Sequence, residues 1–179
     1  MRKASAASVL LVALAAAPAF ADKGFSAGAA VGYSSVSIED SGVSVDFNDI
    51  GYKVFGAYMF NDNWGIEGGW MDMGSMSENV QGTEIELEVD GFDVFAVGAM
   101  PVSETFDLFA KAGIVSWDAT VSATGFGESS DSGEDLALGF GGRFNTSGGF
   151  GFRGEFEWFD VEDVDSAWLF SVGFEYAFK

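Results

Sequence analysis

Glu155 and Glu157 stand two residues apart in Arg153-Gly154-Glu155-Phe156-Glu157-Trp158. In a strand that spacing puts both carboxyls on one face, where one acid and one base can share a proton-transfer task. Directly after them, Asp160, Glu162, Asp163 and Asp165 are dense enough to gather divalent cations. Neither pattern leads to a reaction. The 179-residue chain has no histidine and no cysteine, which removes Ser-His-Asp, Cys-His and His-metal chemistry. The acidic run lacks the fixed spacing and central glycine of a calcium loop and reads as a solvated, repulsive surface. Gly141-Gly142, Gly148-Gly149 and Phe126-Gly127 have no phosphate-loop context and read as packing and turn glycines. No catalytic site, cofactor, metal site or nucleic-acid partner is expected.

The charges around the two glutamates suggest a structural role instead. Apart from Arg2, Lys3, Lys23 and Lys179 near the ends, the only basic residues are Lys53, Lys111, Arg143 and Arg153. Each lies opposite the aromatics of its segment, as do Glu67, Glu155, Glu157 and Glu175. Four cations and four anions enclosed together can neutralise one another, which a low-dielectric interior demands.

The elements that position them are strands. At the C-terminus Trp168, Phe170, Val172, Phe174, Tyr176 and Phe178 recur at every second residue, so a strand shows all six on one face. Ser171, Gly173, Glu175 and Ala177 take the other. Seven earlier segments alternate in the same way: Phe25 to Tyr33, Asp49 to Phe60, Trp64 to Met71, Phe92 to Met100, Phe106 to Val115, Leu136 to Phe144 and Phe150 to Phe159. Asn61 to Asn63, Pro101 to Thr105 and Asn145 to Gly149 supply short turns. A bilayer-spanning strand takes about 9–11 residues, so eight fit one domain. The expected fold is all-β, an eight-stranded antiparallel up-and-down transmembrane β-barrel.

Met1-Arg2-Lys3, the apolar run Ala6 to Ala17 and Ala19-Phe20-Ala21 have the form of a secretory signal peptide. The run is shorter than the ~20 residues a spanning helix needs. Residues 1–21 are therefore expected to be removed, leaving a barrel domain over 22–179; an uncleaved anchor is the alternative. Alternation alone leaves the inside face open, and a soluble lipocalin-like barrel would invert it. The small residues opposite the aromatics, the bulk of those aromatics and the alternation of short with long connections favour aromatics on the lipid side.

The long connections, Val36–Asn48, Asp72–Asp90, Trp117–Asp135 and Asp160–Ser166, hold eighteen Asp and Glu and no Lys or Arg. They are expected to face the outside medium, where a diffuse cation atmosphere can be shared with anionic lipopolysaccharide. Thr83 to Asp90 alternates acids with Ile85, Leu87 and Val89, which predicts a hairpin arm beyond the bilayer. Its apolar phase differs from that of Phe92 and Val94, which predicts a bulge near Asp90-Gly91.

Over these segments the chain resembles the OmpA-type transmembrane barrel and its small single-domain relatives. Gly65 to Asp72 looks like that family's third strand, with an inward Glu in a lumen salt-bridge gate. Phe109 to Trp117 is similar to its fifth, with Lys111 as the basic residue, and Arg153 to Trp158 to its seventh, whose inward Arg partners the Glu. Ser171, Gly173, Tyr176 and Phe178 match the terminal signal read by the barrel-assembly machinery. The resemblance implies a Gram-negative outer-membrane location, with lipid and lipopolysaccharide around the barrel and periplasmic chaperones during biogenesis. Departures are a missing peptidoglycan-binding domain, Val97 in place of a fourth-strand lysine, and Arg143 in place of a sixth-strand acid. The expected function is a structural barrel with a salt-bridged, plugged lumen and acidic surface loops, supporting membrane integrity and surface interaction. The alternatives are a narrow ion channel, or an adhesin or serum-resistance role through the loops toward an unidentified extracellular ligand.

Overall fold

A computed structural model describes residues 24–40, 43–80, 83–123, 125, 127–161, 164 and 166–178. The signal-peptide expectation and three of the four clustered acids, Glu162, Asp163 and Asp165, lie outside the described residues. Eight strands follow in chain order: β1 (Phe25–Asp40), β2 (Val43–Met59), β3 (Trp64–Val80), β4 (Thr83–Pro101), β5 (Phe106–Ala123), β6 (Gly127–Asn145), β7 (Phe150–Asp160) and β8 (Ser166–Ala177). Each pairs antiparallel with its neighbours and β1 pairs with β8, from Ser26↔Ala177 to Ser37↔Ser166. Closure leaves no unpaired edge, the condition for a sheet to exist in hydrocarbon. One of the short turns is fixed by Asn61, whose Oδ1 accepts from the backbone N–H of Asn63 and of Trp64 at 2.9 and 3.0 Å, an Asx turn.

Alternation puts the apolar side chains outside. Val31, Val54, Ile66, Val94, Ile114, Leu138, Phe140, Phe152, Val172 and Phe174 are all exposed, Phe140 to 63%. Tyr33, Tyr52 and Trp64 are exposed as well, and Tyr176 packs edge-on against Phe178 and Phe150 at 5.1 and 4.9 Å. Aromatic side chains flanking an apolar band are the pattern of a barrel immersed in a bilayer, and the inverted, lipocalin-like arrangement is not the one the chain adopts.

The strands run further than the apolar alternation indicates. β1 to β6 are 16–19 residues long, whereas β7 and β8 are 11 and 12. The long connections expected as loops are thus largely continuations of the hairpins, with pairs such as Asp40↔Val43 and Ala123↔Gly127 at their tips. Sequence alternation concealed this because residue chemistry inverts along the strands. In the upper part Val36, Phe47, Met73, Met76, Leu87, Val115, Phe159 and Leu169 are buried inside, while Asp46, Glu86, Glu88, Asp90 and Asp118 face out. Where the surrounding solvent is water rather than lipid, the wall turns apolar-in and polar-out.

The bulge belongs to β3 rather than to Asp90-Gly91. β4 alternates without a break, with Leu87, Gly91, Asp93, Phe95, Val97 and Ala99 all buried. On β3, Asp72 pairs with Asp90 and Ser75 with Glu88, so Met73 and Gly74 oppose Val89. Gly74 takes φ +90°, a conformation that suits glycine. The extra residue changes the parity of β3: Met71 and Met73 point inward before it, and Met76 does so after it.

Candidate functional site

The lumen of the membrane-facing segment holds a buried cluster of ion pairs. Alternation on β2, β3, β5 and β7 aims Lys53, Glu67, Lys111, Arg153, Glu155 and Glu157 at the barrel axis, and all are buried; Lys53 is 1% exposed and Glu157 0%. Lys53 Nζ lies 2.6 Å from Glu157 Oε1, 2.9 Å from Asp93 Oδ2 and 3.6 Å from Glu67 Oε1. Lys111 Nζ donates to Glu67 Oε1 at 2.8 Å, reaches Glu157 Oε1 at 2.8 Å and also pairs with Glu155. Arg153 forks, with Nη1 donating to Glu67 Oε2 and Nη2 to Glu155 Oε2, both at 2.7 Å. Nearer the short-turn end, Arg143 donates to Asp107 Oδ2 at 3.0 Å and to Glu175 Oε1 at 3.1 Å. Glu175 links the two layers through Oε2, 3.6 Å from Arg153 Nη1.

The structure places Lys53, Glu67, Lys111, Arg143, Arg153, Glu155, Glu157 and Glu175 on the lumen side, and Glu67 of β3 meets Arg153 of β7. Val97, in the place of a fourth-strand lysine, pairs in register with Lys111 on the inward face. Two acids were missed. Asp93 and Asp107 bring the ion-paired layers to six carboxylates against four cations among the described residues, rather than four against four. Parity would have found them: Asp93 lies between outward Phe92 and Val94, and Asp107 precedes outward Leu108. The same oversight hid the aromatic side chains beside these charges. Phe55, Phe95 and Phe109 are buried inside, so the aromatics are not confined to the lipid face. The Arg153 guanidinium sits 4.3 Å from the Phe55 ring centre and 4.5 Å from that of Phe109, and Lys111 Nζ 4.1 Å from that of Phe95. Desolvated cations gain from such ring faces.

Glycines on the opposing strands make room for these groups. A Cβ on Gly139 would stand 2.7 Å from Lys111 Cε, and one on Gly141 2.6 Å from Phe109 Cζ. Below these ion pairs, a void of about 10 Å³ lined by Ala57, Glu67, Val97, Arg143 and Arg153 has space for about one water. The arrangement can hold strands together across the barrel. Ser171 and Gly173 of the terminal signal point into the lumen side of β8, and Tyr176 and Phe178 point outward. Among the described residues no His, Cys, Asp or Glu cluster has metal-site geometry.

Residues 4–178 match the family model described as outer membrane protein beta-barrel domain. The attachment invasion locus protein of Yersinia pseudotuberculosis serotype I is 29% identical over 156 residues, 82% of either chain. Among solved structures, Ail of Yersinia pestis in complex with the heparin analogue sucrose octasulfate is 22% identical with a TM-score of 0.58, over 86% of this chain and 98% of that one. Neisserial surface protein A is 14% identical with a TM-score of 0.62, over 86% and 97%. At such identities the structural likeness speaks for the fold.

Proposed function

The chain belongs to the outer membrane protein beta-barrel domain family, a transmembrane barrel of the Gram-negative outer membrane, and from that premise we propose a non-enzymatic, structural surface protein with a closed lumen. The plug carries this reading. Lys53, Lys111 and Arg153 each contact two or more carboxylates in a layer shut off from solvent. Such a layer braces the wall and blocks diffusion, and the protein contributes to outer-membrane integrity.

Contact with the surroundings falls to the extended end. Its relative in Yersinia pseudotuberculosis is named for attachment and invasion, which supports an adhesive role here. The chemistry of the partner differs from that of the heparin analogue held by Ail of Yersinia pestis. The four long connections of this chain carry eighteen acids and no Lys or Arg, so they repel polyanions and suit cationic surfaces. Ser171, Gly173, Tyr176 and Phe178 serve as the signal for the barrel-assembly machinery, delivered by periplasmic chaperones, and lipopolysaccharide surrounds the finished barrel.

Planar-bilayer recording with Glu67→Ala and Arg153→Ala tests the closed lumen against the narrow-channel alternative. The wild type is expected to give no steady conductance. Each variant is expected to lose stability, because removing one buried partner strands the other at a cost of about 3–5 kcal/mol. Steady wild-type conductance that either substitution alters, with heat resistance unchanged, would establish the channel instead.

A further inference from the structure

Above the ion pairs the barrel interior changes from charged to apolar and ceases to be full. A cavity of about 230 Å³ lies there, walled by Met73, Leu87, Val115, Trp117, Phe159 and their neighbours. Its floor includes Met71, which pairs in register with Lys53 of the ion-paired layer, so it opens away from the lumen. The space is larger than the ~150 Å³ cavity that takes one benzene ring and smaller than the ~300 Å³ at which drug-sized pockets begin. It suits a single bicyclic ring or a short alkyl chain. Met71 and Met73 supply adaptable thioethers for an irregular apolar guest.

The sign of the guest is set by what lines the mouth. Asp131 lies on the cavity wall. Asp135, on the same face of β6 four pairs nearer the membrane, accepts a 2.7 Å hydrogen bond from Trp117 Nε1, and Trp117 is itself a wall residue. No Lys or Arg occurs in 72–90, 117–135 or 160–166, the segments that supply most of the wall, and the chain has no histidine. A carboxylate or sulfate guest finds no counter-charge there. An ammonium group finds Asp131, and the Trp117 ring offers it a π face.

The geometry points to a binding site at the long-strand end for a small cationic amphiphile, an aryl or short alkyl amine with its apolar body in the cup and its ammonium at Asp131. The site is independent of whether the lumen conducts. The probe is 1-naphthylmethylamine, titrated into the full-length barrel in lipid nanodiscs, with empty nanodiscs as the blank. Binding is followed by calorimetry and by the shift of the Trp117 indole N–H resonance. The amine is expected to bind and move that resonance, and 1-naphthaleneacetate, with a similar ring and the opposite charge, is not. Ala119→Trp, which fills the cup, should weaken binding at least tenfold. Asp131→Asn should lower the preference for the amine over 1-naphthylmethanol several-fold. Heat-shifted gel migration verifies folding of each variant, and Val121→Trp at the wall substitutes if Ala119→Trp does not fold. Equal binding of amine and acetate, binding unaffected by the cavity-filling tryptophan, or no signal above empty nanodiscs would overturn the assignment.

Discussion

Glu67 touches all three deeply buried cations of the lumen, Lys53, Lys111 and Arg153. Asp93 approaches one of them, Lys53 at 2.9 Å, and Lys53 keeps Glu157 at 2.6 Å when Asp93 is removed. The two substitutions should therefore rank unequally. Glu67→Gln preserves shape but leaves three cations short of charge, and is expected to cost about 3–5 kcal/mol. Asp93→Asn should cost clearly less, since the lumen holds more acids than bases. Urea unfolding of the folded barrel in detergent, read by tryptophan fluorescence, gives the order directly. Equal losses would mean that Asp93 is as firmly tied as Glu67.

At the scale of the strand, two glycines carry constraints that alternation does not announce. Gly141 on β6 lies against the Gly154 carbonyl oxygen of β7 and the edge of the Phe109 ring, so a valine there would press on the β7 backbone and push that ring toward Arg153, which it covers. Overpacking of this kind typically costs about 1–3 kcal/mol. Gly74 on β3 combines φ +90° with a neighbour, Asp49 Oδ2, 2.7 Å from where a Cβ would sit. Gly74→Val is expected to destabilise by more than about 1–2 kcal/mol, the ordinary penalty of a left-handed L-residue. It should also loosen the ladder beyond the bulge, where Met76 returns to the interior. Amide exchange along 75–80 and 83–88 should rise while the membrane-facing segment stays protected. Unchanged protection there would show that the bulge does not set the register above it.

The whole molecule divides into a zone built for hydrocarbon and a zone built for water, and charge substitution should map the boundary. Phe140→Arg on the lipid face is expected to cost about 2–4 kcal/mol near the bilayer midplane, whereas Glu86→Arg on the acidic wall should be close to neutral. Folding titrations into vesicles of defined lipid measure both, and a large penalty at Glu86 would move the boundary. Period-two alternation was enough to give the eight strands and their outward faces, because a strand's side-chain parity is a local property. Asp93, Asp107 and the inward Phe55, Phe95 and Phe109 obeyed the same parity and were obscured only by their brighter neighbours. The arm over Thr83 to Asp90 was legible and is the start of β4, but the other strand extensions were not, because beyond the bilayer the apolar residues change sides and the alternation reads as its opposite. Which acid meets which base and the apolar cavity above the ion pairs depend on barrel closure, and the bulge on β3 depends on its pairing with β4. Closure brings together side chains more than a hundred residues apart, such as Lys53 and Glu157 at a separation of 104, and no local pattern in the chain encodes that meeting.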